Sequence, residues 1–205
     1  MSVNGAPGLR RASARDLPAL AGMLARAFMD DPVARWSCGP DRLRPAVLER
    51  FQAARLKQLL VHEEVWSSED LNCAALWAPP GHAHTTPRQD VELARCLLHP
   101  RLVWRLPLVA KGLLEIQRNH PTHEPHWYLA VLGTDPSAQG KGLGSAALAP
   151  VLERCDADGV AAYLESSKER NIDFYARHGF RVTGELRLPR GPSVWPMWRD
   201  PRPAA

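Results

Sequence analysis

Cysteine is scarce in this sequence. Cys38, Cys73, Cys96 and Cys155 are widely spaced and lack the spacing of a metal-ligand set. Cys96 and Cys155 fall within apolar helical patterns, so the four read as reduced core thiols and not as a disulfide framework. No apolar run approaches the ~20 residues needed to span a bilayer. The first residues, MSVNGAPG, lack the charged-then-apolar order of a secretory signal. No membrane partner is expected, and the cytoplasm is the expected compartment. Dense runs of Lys and Arg are also missing. Lys and Arg number 26 against 22 Asp and Glu, a formal charge of +4. That modest, scattered excess suits an anionic ligand and gives no reason to expect nucleic acid. No segment repeats. What is present, 205 residues of which 45% are hydrophobic, suffices for the core of one domain and not for two. One domain over 1–205 is expected, ordered over about 8–199, with a disordered tail at 200–205.

Periodicity divides the chain into short elements. Leu9 to Ala12 reads as a strand. Ser13 opens a helix, with Asp16 three residues on as in a capping box. Leu17, Leu20, Leu24 and Phe28 share a face of it at spacings of three and four, and it should end near Met29, before Asp30, Asp31 and Pro32. A second helix is expected over 41–60. Strands are expected over 61–66 and 71–77 around the polar turn SSED. A loop follows over 79–90, then helices over 91–98 and 102–117. After a break at Pro121 to Pro125 comes the clearest strand, HWYLAVL from His126 to Leu132, apolar enough to be buried on both faces. A glycine-rich stretch leads into a helix ending near Asp156, which Pro150 should kink. Ala161 to Glu165 is a strand. Asn171 to His178 is a short helix stopped by Gly179. Phe180 to Leu186 and Val194 to Trp198 are expected to close the fold as a hairpin.

The stretch GTDPSAQGKGLGSA, Gly133 to Ala146, sits between a buried strand and a helix, where backbone N–H groups and the helix dipole favour a phosphate. A nucleotide loop of the form G-x-x-x-x-G-K-[ST] fails, because six residues separate Gly133 from Gly140 and Gly142 follows Lys141. A dinucleotide fingerprint fits Gly142, Gly144 and Ala147, with Glu165 about 20 residues on as the ribose acid. That reading, an NAD-type oxidoreductase, is disfavoured. The first glycine lies some nine residues beyond Leu132, and too little chain follows Glu165 to complete such a sheet. The third fit is Gln139-Gly140-Lys141-Gly142-Leu143-Gly144, the pattern [QR]-x-x-G-x-[GA].

With that motif, the strand end AAYLESS and the run NIDFYARHGF (Asn171 to Phe180, of the form N-x-x-x-Y-x-x-x-G-F), the sequence resembles the GCN5-related N-acetyltransferase (GNAT) family. Over residues 124–200 it is most similar to members like puromycin N-acetyltransferase. The run RAFMDDP departs from that enzyme at Asp31, where a tyrosine stands. The resemblance implies a mixed, mainly antiparallel α/β sheet, splayed in the middle and flanked by helices. It also implies acetyl transfer from acetyl-CoA, without a metal, to a primary amine. The acceptor expected is a small molecule such as an antibiotic, an aminonucleoside or an amino-acid-like amine, and the enzyme a monomer or homodimer. Gln139, Gly140, Lys141, Gly142, Leu143, Gly144 and Ser145 would hold the pyrophosphate. Ala130, Val131 and Leu132 would pair with the pantetheine arm, an amide there polarising the thioester carbonyl, and Asn171 would also touch the cofactor.

Tyr175 matches the family's tyrosine near the thioester sulfur and is the candidate general acid; otherwise it only packs its short helix. Glu165, at a strand end, is the candidate base for the amine proton, directly or through water; otherwise it is a solvated or ion-paired carboxylate. Asp30 and Asp31 would attract a cationic amine or merely end a helix. Trp36, Trp127 and Trp195 would line an aromatic acceptor pocket or simply pack. His82 and His84 lie in a Pro/Gly loop and read as solvated side chains. His120, His123 and His126 surround prolines, and no pattern assigns them a role. A non-catalytic acyl-CoA sensor is the remaining alternative, disfavoured by the retention of both Tyr175 and Glu165.

Overall fold

The computed structural model describes residues 8–39 and 41–202. Among them run β1 (Leu9–Arg11), α1 (Leu17–Ala27), α2 (Pro32–Cys38), α3 (Arg44–Leu60), β2 (Val65–Ser68), β3 (Cys73–Ala78), α4 (Pro87–Cys96) and α5 (Leu106–Asn119). They are followed by β4 (His126–Thr134), α6 (Leu143–Asp158), β5 (Ala161–Ser166), α7 (Ile172–Arg177), β6 (Arg181–Val182), β7 (Leu186–Arg187) and β8 (Ser193–Arg199). The strands form one sheet in the order β1-β2-β3-β4-β5-β8-β6, with β7 also paired to β8. Only β4 and β5 run parallel; every other pair is antiparallel. This is the expected splayed, mainly antiparallel sheet.

Both faces of the sheet are covered. Helices α1 and α3 bury Leu20, Met23, Leu24 and Leu56 against Ala74, Leu76 and Val131. Leu20 and Leu24 are fully buried, and each such side chain contributes ~1.5–3 kcal/mol. On the opposite face α6 and α7 bury Ala147, Leu148, Val151 and Tyr175 against Trp77, Leu129 and Leu164. A third cluster joins α2, α3, α5 and the β7–β8 hairpin around Trp36, Leu102 and Leu188. All four cysteines are free and buried, and burial pushes the Cys155 thiol up to about 12.

Several boundaries differ from those read off the sequence. The helix opened by Ser13 begins as a single 3-10 turn whose capping box with Asp16 is present, and α1 ends at Ala27. Asp31 does not end that helix; it caps α2, accepting a hydrogen bond from the Ala34 N–H at 2.9 Å. Ser67 and Ser68, expected in a turn, lie in β2. α4 starts inside the expected loop, where Thr86 and Gln89 form a capping box ahead of Pro87. α6 continues through Pro150 to a left-handed Gly159, so the proline costs one hydrogen bond to the Ala146 carbonyl without ending the helix. The expected closing hairpin exists, with β6 and β7 both short and both on β8. Asp200, placed in the tail, accepts from Trp198 Nε1 and Arg181, and the Arg202 N–H donates to Asp156. Residues 203–205 lie outside the described residues.

Candidate active site

The parallel ladder between β4 and β5 is short. His126 to Leu129 pair with Ala161 to Leu164, and there the register ends. Beyond it β5 stays paired to β8 on its other edge, with Glu165 opposite Pro196, while β4 continues along β3. The β3–β4 ladder has its own irregularity: Leu76 pairs Val131 and Trp77 pairs Leu129, so Ala130 is an extra residue. A bulge of this kind bends a strand and frees its backbone groups. From Ala130 onward the β5-facing edge of β4 therefore has N–H and C=O groups without a strand partner. A cavity of about 500 Å³ fills the gap, lined by Ala130 to Thr134 on one side and Glu165 to Lys168 on the other.

The glycine turn closes one end of this cavity. Gly140 and Gly142 both have φ of +78°, the left-handed region that disfavours a side chain. A Cβ at either position would meet nothing within 4 Å, so conformation and not packing demands glycine. Gly142 is the N-cap of α6, and Ala146 N–H returns to its carbonyl at 3.0 Å. The N–H groups of Leu143, Gly144 and Ser145 are thus the unbonded donors of the first turn, and these residues line the cavity with Gln139, Gly140 and Gly142. Gln139 Nε2 donates to the Thr134 carbonyl at 3.3 Å and Ser145 Oγ contacts His178 Nε2 at 2.9 Å, which fix both ends of the turn. Lys141 is exposed and does not line the cavity. Gly133 belongs to β4 and not to the turn. A Cβ there would come within 2.6 Å of Leu24 Cδ2, so this glycine lets α1 lie against the strand.

Glu165, Asn171 and Tyr175 also line the cavity. Tyr175 is buried on α7, and burial first, then the charge of Asp31, pushes its phenol well above the usual range. It therefore keeps its proton at any working pH. The Glu165 side chain is only 8% exposed, with Nδ1 of His120 at 3.4 Å from Oε1. His120 in turn contacts His126, Nε2 to Nε2, at 3.0 Å.

Asp31 lines the cavity and Asp30 the shallow pocket beside it, and both carboxyls are engaged by other side chains. Asp30 pairs with Lys168 and with Arg170, at 3.1 Å for the latter, and Lys168 holds its carboxyl below the usual range. Asp31 is buried and accepts from Ser167 Oγ as well as from Ala34 N–H. Together they tie the α1–α2 corner to the β5–α7 connection. Trp36 is buried in the third cluster, donates to the Pro189 carbonyl at 3.2 Å and does not reach the cavity. Trp127 packs in the α6-side core, and Trp195 lines a separate shallow pocket beside Lys168 and Arg170. His82 and His84 are exposed, as expected.

Sequence reasoning missed Ser167, Lys168, Arg170, Phe174 and Arg177 at the cavity, and gave no role to His120 and His126 behind it. Most follow AAYLESS, whose strand end was noticed, so their position was readable even though their role was not. The arrangement can receive a phosphate on the N–H groups of α6 and an extended chain on the open edge of β4. It presents one buried carboxyl and one buried phenol to whatever lies between. Among the described residues no helix is long and apolar enough to cross a membrane, and no group of three or more His, Cys, Asp or Glu is placed to hold a metal ion.

Known proteins share this fold. The model of the acetyltransferase (GNAT) family matches residues 69–180. An uncharacterized N-acetyltransferase of Schizosaccharomyces pombe is 24% identical over 208 residues, covering 92% of this chain and 80% of that protein. Among solved structures, one described as histone acetyltransferase HPA2 and related acetyltransferase, from Corynebacterium glutamicum, has a TM-score of 0.69 at 26% identity, with 97% and 98% of the two chains covered. A Drosophila melanogaster polyamine N-acetyltransferase has a TM-score of 0.58 at 16% identity, with 94% and 98% covered, and shares the fold.

Proposed function

The chain belongs to the acetyltransferase (GNAT) family, and from that premise we propose that it moves the acetyl group of acetyl-CoA to a primary amine on a small molecule. The observation that carries the reading is the gap between β4 and β5. It opens beside the N-terminus of α6 and holds Glu165 and Tyr175 on its walls. In this reading the pyrophosphate lies on the N–H groups of Leu143 to Ser145, with Gly140 and Gly142 giving the backbone its approach. The pantetheine arm completes the open edge of β4 at Ala130 to Leu132, and an amide at the bulge polarises the thioester carbonyl. Glu165 takes the amine proton as nitrogen attacks, and Tyr175 gives its proton to the departing thiolate. Thiols ordinarily titrate near ~8.5, so the second step needs little help. Lys168, Arg170 and Arg177 add positive charge around an anionic cosubstrate.

The small-molecule acceptor is supported by the ties of Asp30 and Asp31 across the cavity to Ser167, Lys168 and Arg170. The resemblance to enzymes like puromycin N-acetyltransferase favours an aminonucleoside-like amine, in a cytoplasmic monomer or homodimer. The test is thiol release from acetyl-CoA across a panel of aminonucleosides, polyamines, arylalkylamines, amino acids and N-terminal peptides. Turnover with at least one small amine is expected. Turnover with peptides alone would replace the acceptor class, and acetyl-CoA binding without turnover of any amine would favour a sensor.

A further inference from the structure

Two buried histidines stand in line behind Glu165. His120 caps the C-terminal end of α5 and His126 opens β4, so the connection between them folds back to bring the rings together. Their Nε2 atoms are 3.0 Å apart. On the inner side His120 Nδ1 faces Glu165 Oε1 at 3.4 Å. On the outer side His126 Nδ1 lies 2.8 Å from the backbone carbonyl of Glu124. Contacts near a reacting group are often long without substrate and tighten with it.

Hydrogen-bond accounting fixes where the protons are. A carbonyl oxygen only accepts, so His126 Nδ1 carries a hydrogen. In a neutral ring its Nε2 is then a bare acceptor. The 3.0 Å contact therefore places a hydrogen on His120 Nε2. If His120 is also neutral, its Nδ1 is bare and faces the Glu165 carboxyl. That contact is satisfied by a protonated Glu165 donating to neutral His120, or by a carboxylate accepting from an imidazolium. Either way the pair holds one shared proton in this arrangement, and the form that can take the amine proton is the one that has released it to solvent, a carboxylate beside neutral His120.

We propose that His120 and His126 are positioning residues that act through Glu165. His120 takes over the proton that Glu165 removes from the amine, and His126, fixed by the Glu124 carbonyl, keeps His120 in the tautomer able to do so. The inference rests on the acetyl-transfer reading. A primary amine arrives mostly as an ammonium near neutral pH, so each turnover converts ammonium and thioester into amide, thiol and one released proton. As the amine N–H bond breaks, an O–H bond forms on Glu165. That O–H breaks as N–H forms at His120 Nδ1, leaving a carboxylate beside an imidazolium. Burial lowers the affinity of His126 for a second proton, so His126 stays neutral and the proton rests on His120 until solvent removes it. The imidazole gives the proton taken by the carboxylate a second place to rest.

The groups facing this pair come from every neighbouring element. Tyr128 of β4 and Tyr163 of β5 stand edge-on to His120 at 4.9 and 4.8 Å between centroids. Burial and then the charge of Glu165 push both phenols up, so they remain neutral. Trp198 of β8 packs edge-on to His126, with His123 stacked on its ring. Arg55 of α3 is within electrostatic reach of Glu165, Tyr128 and Asp90. The exposed ring of His84 stands edge-on to His120, 5.0 Å between centroids.

The first test needs no variant. Long-range 1H–15N correlation spectra of the labelled protein should show His126 protonated at Nδ1, and His120 either doubly protonated or protonated at Nε2. A neutral His120 protonated only at Nδ1 throughout pH 5 to 9 overturns the proposal. In His120→Asn an amide replaces the imidazole next to Glu165 but cannot carry the proton. With a good amine, kcat should fall about 10-fold near pH 7, the low end of acid–base effects or below it. KM for acetyl-CoA should stay within about 2-fold, and the defect should shrink as pH rises and the amine arrives neutral. An equal loss at every pH would mean packing alone and would overturn the relay. His126→Asn retains a donor for the Glu124 carbonyl and removes the acceptor for His120. The His120 tautomer should then become mixed, and an unchanged tautomer would remove the lock. If the wild-type protein turns over no amine, the acetyl-transfer reading fails while the tautomer measurement still stands.

Discussion

Strand β4 is paired to β5 from His126 to Leu129, with β3 joining on the other edge at Tyr128 and Leu129, and to β3 alone from Val131 to Thr134. Both parts come from one apolar run, and their burial differs little in pattern. The closed part does structural work: it carries His126 and Trp127 and seats β5. The open part makes a site, because the ladder to β5 stops at Leu129 and the bulge at Ala130 turns its edge to the cavity. The difference lies in what each half is paired with, and hardly in the residues. A site of this kind is made by withholding a strand.

The most damaging single change should fall at the glycine turn that closes the open half. Gly142→Val puts a β-branched side chain at φ +78° and in the space facing the cavity. Acetyl-CoA affinity by calorimetry should drop by at least ~100-fold, since that loss needs only ~2.7 kcal/mol. The left-handed strain itself is ~1–2 kcal/mol, so Tm should fall by only several degrees. Retained affinity would separate the turn from cosubstrate binding. Next in size is Tyr175→Phe, which keeps the buried ring and removes its proton. A fall of ~100-fold in kcat is expected, with acetyl-CoA affinity unchanged, because acid catalysis begins near that value. Full activity would leave Tyr175 as packing on α7.

Gly133→Ala sets the two halves of β4 against each other without touching the turn. The new methyl would meet Leu24 Cδ2 at 2.6 Å, Phe28 Cε2 at 3.2 Å and Ala27 Cβ at 3.3 Å. Overpacking of this sort costs ~1–3 kcal/mol, or ~2–4 °C in Tm per kcal/mol at this chain length. An unchanged Tm would mean that α1 is not held by the open half. Glu165→Gln is smaller. Near pH 7 kcat should fall ~10-fold, less than for a fully exposed base because some amine arrives neutral. The loss should shrink from pH 7 to 9.5 as the free amine fraction rises. A loss constant over that range would make Glu165 a positioning group.

The legible parts of the chain and the illegible ones divide along the same line. HWYLAVL, the glycine turn and NIDFYARHGF announce themselves because each is a local pattern: a buried run, positive-φ glycines before a helix, a helix stopped by Gly179. Glu165 and Tyr175 fell into place with them, and both line the cavity. Asp31 was misread, because a carboxylate capping the next helix and one ending the last look alike until Pro32 is seen to start α2. The Asp30 pairs with Lys168 and Arg170 span nearly 140 residues, and no spacing rule reaches that far. His120 and His126 were noticed and left without a role for a similar reason. Their partner, Glu165, lies on a strand whose neighbour could not be assigned from sequence alone. Trp36 was drawn into the acceptor pocket because an aromatic side chain suits both a pocket and a core; the structure places it in the core.

The smallest effect concerns what holds the open half in place of β5. Asp135 follows β4 directly and accepts from the Ser137 N–H at 3.0 Å, from Ser137 Oγ at 2.6 Å and from Arg26 of α1 at 2.8 Å. The Ser137 hydroxyl and N–H, and then Arg26, bring its carboxyl down to about 2. An aspartate ordinarily titrates near ~3.9. A pKa depressed in the fold means that stability is gained above the unfolded value and lost as pH falls through the folded one. The contribution is therefore complete above about pH 5 and fades toward pH 2. Arg26 is more than half exposed, so solvent screens its share and the total should be ~1 kcal/mol or less. Asp135→Asn should thus lower Tm by ~2–4 °C at pH 7, with the two melting curves converging toward pH 2. Asp16 and Asp156, held low by Arg10 and Arg199, keep an acid-induced decline in both proteins. A gap that persisted unchanged at low pH would assign the effect to the neutral hydrogen bonds of the turn, and the open half of β4 would then be fixed by its turn geometry and not by charge.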